Sequence, residues 1–60
     1  MKYCLLFCWF GGNKSLAEVQ SENKDKAVEL LQSNCPVKLD KYGYAKSGEI
    51  TYCVGEVFGS

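Results

Sequence analysis

The chain has 60 residues, seven basic and seven acidic side chains, zero formal charge, and neither arginine nor histidine. No guanidinium fork is available to grip phosphate or guanine, no imidazole can act as base, shuttle or ligand, and no basic field draws nucleic acid. Length sets one domain, 1–60, of the size that buries only ~60% of its unfolded surface and leans on disulfides, a metal or association for support.

Residues 3–10, Tyr-Cys-Leu-Leu-Phe-Cys-Trp-Phe, are apolar at both odd and even positions. Lys2 ahead of this run suggests a signal peptide. The run is short for one, and no small-residue cleavage pattern follows it. It reads as a strand. Successive side chains of a strand point to opposite faces, so Tyr3, Leu5, Phe7 and Trp9 share one side and Cys4, Leu6, Cys8 and Phe10 the other. A strand apolar on both sides needs cover on both, and a chain with one short helix covers one. The other side invites a partner. No segment reaches the ~20 apolar residues of a membrane span, and the expected compartment is the cytoplasm.

Gly11-Gly12-Asn13 is a turn signal, and Ser15–Gln20 reads as the returning strand of a hairpin. A two-residue loop at Gly11-Gly12 sets Cys8 opposite Ser15, Leu6 opposite Ala17 and Cys4 opposite Val19. That register places Ala17 and Val19 with the cysteines. Leu16, Glu18 and Gln20 then join Tyr3, Leu5 and Phe7. A three-residue loop exchanges the faces, because a one-residue slip moves every side chain to the other side.

Ser21 or Asn23 can cap a helix beginning near Lys24, with Ala27, Val28, Leu30 and Leu31 as its apolar stripe. Asn34 and Pro36 stop it. Val37–Tyr42 reads as a short edge strand or an extended loop, and Lys46-Ser47-Gly48-Glu49 as a tight turn. Ile50–Phe58 is a clear strand. Glu56 should avoid a dry core, which points to Thr51, Cys53, Gly55 and Val57 as the side under the helix. Gly59-Ser60 is a free end. The expected fold is α+β. It is a two-layer sandwich, ββαβ or ββαββ, with a three- or four-stranded sheet ordered 2-1-last.

Four cysteines are the chemical candidates. Cys4 and Cys8 lie roughly 13 Å apart along a strand, too far for one disulfide or one zinc ion. Cys53 can meet either of them. Cys35 follows the C-terminus of the helix, where a thiolate is disfavoured. Small buried thiols are the expected reading, with no metal and no cofactor. A zinc or redox module is the alternative.

The eight aromatic residues are a heavy load for this length. Rings on an open sheet can stack unpaired bases, which makes a single-stranded nucleic-acid binder a further alternative, but the charge balance supplies no basic groove. Tyrosine and tryptophan are also enriched at protein contacts. The expected partner surface is Tyr3, Leu5, Phe7, Trp9, Leu16 and Tyr52, with Tyr42 and Tyr44 as a candidate recognition loop. No paired carboxylates, phosphate loop or nucleophile–base pair is visible, so no enzyme is expected. The expected function is a protein–protein interaction module acting as a homodimer, or as a phage-type or mobile-element-type inhibitor docking on a larger host protein.

Overall fold

The computed structural model describes residues 1–58, and the expectation for Gly59-Ser60 lies outside them. Strands β1 (Lys2–Trp9) and β2 (Gly12–Gln20) form the first hairpin, helix α1 (Lys24–Leu31) follows, and β3 (Tyr44–Ser47) and β4 (Ile50–Val57) form a second hairpin. All neighbours are antiparallel in one sheet of order β2-β1-β4-β3. The α+β sandwich and the central place of β1 agree with the sequence reading.

Each element has a local cause. The Asn23 side chain accepts a hydrogen bond from the Lys26 amide at 2.8 Å, satisfying one free donor of the first turn of α1. The helix passes into a 3-10 turn, Gln32–Asn34, ahead of Pro36. Ser47 pairs with Ile50, so Gly48 and Glu49 are the whole β3–β4 turn. Gly48 has φ +63°, the conformation that the first position of a II′ turn asks of glycine.

Residues 35–43 are irregular, and side chains hold them in place. The Gln32 carboxamide donates to the Val37 carbonyl at 2.8 Å and accepts from the Leu39 amide at 2.7 Å, as a neighbouring strand would. This clamp seats Leu39 in the core. The Asp40 carboxylate accepts from the amides of Tyr42 and Tyr44 at 2.8 and 3.0 Å. Gly43 turns there at φ +78°, where a Cβ would lie 2.7 Å from Val28 and 2.9 Å from Val54.

The core reverses the expected faces. Tyr3, Leu5, Tyr52 and Val54 are buried from the sheet side, with Ala27, Leu31 and Leu39 above them. Ala17 and Val19 pack against the same cluster. The cysteine side of the sheet, with Thr51, Cys53, Gly55 and Val57, faces away from this core. The cause is one residue. The first hairpin has a two-residue loop, Phe10-Gly11, so the loop length has the expected parity, one position earlier than expected. Leu6 pairs with Ser15, but Leu5 pairs with Ala17. Leu16 is therefore extra on β2, a β-bulge. Beyond it every side chain of β2 has changed sides relative to β1, as after a one-residue slip. Glu56 shares the core side with Tyr52 and Val54, yet it is only half-buried near the end of β4, which spares its charge a dry environment.

Candidate functional site

Strands of eight residues run about 27 Å, whereas an eight-residue helix runs about 12 Å. Helix α1 and the strap behind it cover one part of the core face. Past them the same face continues as an aromatic row. The Phe7 ring meets Tyr52 edge-on at 5.5 Å between centroids. On its other side it lies 5.3 Å from Trp9, tilted by 50°. Tyr52 is buried, Phe7 half-buried and Trp9 42% exposed, so the row climbs from core to solvent.

At the end of this row lies a cleft of about 590 Å³ lined by Phe7, Trp9, Phe10, Glu49 and Ile50. The two hairpin turns build it. Trp9 and Phe10 come from the β1–β2 end, and Glu49 and Ile50 from the β3–β4 end. Phe10 occupies a turn position and is fully exposed. The Trp9 indole lies against Gly11, where a Cβ would come within 2.6 Å of its Nε1. Among the described residues, Glu49 is the one charged group in the lining. The chemistry on offer is apolar and aromatic contact beside a single carboxylate.

The expected partner residues therefore divide. Phe7 and Trp9 belong to this cleft. Tyr3, Leu5 and Tyr52 are core, with relative exposures of 5%, 0% and 6%, so they present no partner surface. Leu16 is 40% exposed on the bulge. Tyr42 and Tyr44 are exposed around the Asp40 turn, and their backbone amides both donate to the Asp40 carboxylate. Tyr42 lies under the Lys41 ammonium at 5.1 Å and joins Asp25, Val28 and Glu29 around a separate hollow beside α1. Tyr44 pairs with Cys53 on the opposite side of the sheet.

Phe10, Glu49 and Ile50 were not expected in a site. The available signal was a large apolar residue abutting two glycines. Moving the turn back by one position makes Phe10 a loop residue, and a phenylalanine on a two-residue turn has no core to enter.

The four cysteines are free thiols of intermediate exposure, less buried than the small buried thiols expected from the sequence. Cys35 packs against the core cluster. Cys4, Cys8 and Cys53 lie on the outer side of the sheet, with Cys53 opposite Leu6 and diagonal to both others. Burial, and then the Glu18 carboxylate, push the Cys4 thiol up from its ordinary pKa. Burial raises Cys53 too, followed by its neighbours Cys8 and Cys4, against a smaller lowering by Lys24. Among the described residues, no group of three or more metal-binding side chains converges. No helix among them is long and apolar enough to cross a membrane.

The chain matches no protein-family model, and no curated protein or solved structure is measurably similar to it.

Proposed function

We propose that this chain is a non-catalytic protein–protein interaction module that docks on a larger protein through the cleft between its two hairpin turns. The occupant is an apolar side chain of the partner, with a lysine or arginine beside it to meet Glu49. Phe10 carries the reading. A fully exposed phenylalanine stands beside a half-open row of Trp9, Phe7 and Ile50. Burying a side chain of this size is worth ~1.5–3 kcal/mol, and tryptophan and other large aromatics anchor protein contacts. The aromatic row also spares the binding surface a large ordering cost, because Phe7 is already held between Tyr52 and Trp9.

A photo-cross-linking phenylalanine analogue at position 10 tests this in cells. One protein should be captured, identified by mass and then titrated in purified form. Wild-type protein should bind it, and Phe10→Ser should bind at least tenfold more weakly. Equal binding by Phe10→Ser, with the adduct lost only on substitutions elsewhere, would reject the cleft as the docking site.

A further inference from the structure

Three of the four free thiols share the outer side of the sheet, on its two central strands. Leu6 stands opposite Cys53, and Cys8 stands opposite Thr51. Cys8 and Cys53 are therefore the two ends of one diagonal, with Leu6 and Thr51 at the other corners. Cys4 lies on the diagonal in the opposite direction, opposite Gly55. The two diagonals are not equivalent. After burial, Cys8 acts most strongly on the Cys53 thiol, through charge and through a hydrogen-bonding contact between the two side chains. Cys4 acts on it less, and through charge alone.

We infer that Cys8 and Cys53 form a two-coordinate site for a thiophilic monovalent cation, copper(I), held between the two central strands. Three observations select this ligand. The first is span. Diagonal neighbours across a strand pair have α-carbons ~7–8 Å apart. A disulfide normally asks for ~4.4–6.8 Å and brings its sulfurs to ~2.05 Å, so closing one here would drag the strands. Two metal–thiolate bonds of ~2.3 Å set in line hold the sulfurs about 4.6 Å apart. Side chains leaning toward each other along a diagonal meet that longer span without moving the backbone.

The second is the donor set. Soft thiolates select copper(I) and zinc. Zinc takes four ligands in a tetrahedron. Among the described residues, no group of three or more histidine, cysteine or acidic side chains converges to supply them. Copper(I) is satisfied by two thiolates in line.

The third is access. Cys8 opens onto a hollow of about 400 Å³ that it lines with Trp9, Phe10, Glu49 and Thr51. The Glu49 carboxylate attracts a cation entering there. Lys46 stands opposite Thr51, in the same cross-strand row as Cys8, where its ammonium offsets the single negative charge of the finished bis-thiolate. On binding, each thiol releases one proton to solvent. The copper stays monovalent and no oxidant is required.

This inference is independent of the docking role given to the cleft, and the test separates them. Reduced wild-type protein, kept free of oxygen, should withdraw one equivalent of copper(I) per chain from the chromogenic competitor bicinchoninate. Cys8→Ser and Cys53→Ser should each bind at least tenfold more weakly while keeping their far-ultraviolet circular dichroism. Cys35→Ser and Phe10→Ser should bind like wild type. One equivalent should also raise the melting temperature of wild type, because a ligand of the folded state stabilises it. A further measurement needs no substitution. Copper(I) should slow alkylation of Cys8 and Cys53 at least tenfold and leave the rate at Cys35 unchanged. A wild-type protein that leaves the metal with bicinchoninate overturns the inference. So does a folded Cys8→Ser that binds as tightly as wild type, or a melting temperature that falls on addition of the metal.

Discussion

Ser15 and Ala17 of β2 stand opposite the consecutive residues Leu6 and Leu5 of β1, and the residue between them, Leu16, has no partner. That missing pair decides which side of the sheet becomes the core. Toward the turn, Cys8 and Leu6 align with Asn13 and Ser15. Past the bulge, Ala17 and Val19 align with Leu5 and Tyr3. The helix can then close over one continuous apolar patch of β2, β1 and β4.

Leu5 and Leu6 consequently have opposite roles. Leu5 is fully buried, so Leu5→Ala should cost ~2–5 kcal/mol by loss of transfer energy and the cavity left behind. Leu6 lies on the outer face, and Leu6→Ala should cost no more than about 1 kcal/mol. Urea unfolding at dilute concentration checks both. A larger loss for Leu6→Ala would place the core on the cysteine side.

The strap after α1 depends on Gln32. Its carboxamide makes both hydrogen bonds that seat Leu39, and Gln32→Ala leaves the Val37 carbonyl and Leu39 amide without them. The expected cost is ~1–3 kcal/mol. Amide hydrogen exchange should quicken at Leu39 well before it quickens in β1. Unchanged exchange at Leu39 would show that the clamp contributes nothing.

Gly43 cannot accept a side chain cheaply. Its φ of +78° is left-handed, and an added Cβ would press on both Val28 and Val54. Gly43→Ala should destabilise by ~1–3 kcal/mol through strain and overpacking. Gly48→Ala shares the positive φ but meets open space, and it should cost less. Thermal melts of the two variants give the comparison.

The thiols should respond to alkali in a defined direction. Cys4 and Cys53 hold their protons above the ordinary value of 9.0, chiefly through burial. Folding therefore favours the protonated form. The associated stability is fully present below the unfolded pKa and falls as pH rises through the raised folded values. Iodoacetamide should alkylate these two cysteines more slowly in the folded protein than in urea at pH 8. A faster folded-state reaction would mean that the thiolates are stabilised instead.

Much of this architecture was legible in the residues. The two-sided apolar run marked β1 as central, Asn23 and Pro36 bracketed the helix, and Gly48 marked the second turn. The face assignment was not legible. A bulge costs one residue and leaves no composition signal, since Leu16 looks like any apolar strand position. Glu56 argued for the wrong side because a charge near a strand end can share the parity of a core without entering it. The Val37–Tyr42 segment was ambiguous because Gln32, remote in sequence, supplies the bonds that a strand partner would supply. Of the candidate cleft, Phe7 and Trp9 could be singled out from the residues alone, whereas Phe10, Glu49 and Ile50 join them only after both turns are placed.

Trp9 is the only tryptophan of the chain and forms a wall of the cleft, so it reports on occupancy directly. The decisive measurement is acrylamide quenching of its fluorescence in the free protein and in complex with the protein captured at position 10, which should itself be stripped of tryptophan. Docking through the cleft predicts a blue-shifted emission and a quenching constant at least threefold lower in the complex. An unchanged spectrum and quenching constant in a fully formed complex would contradict it.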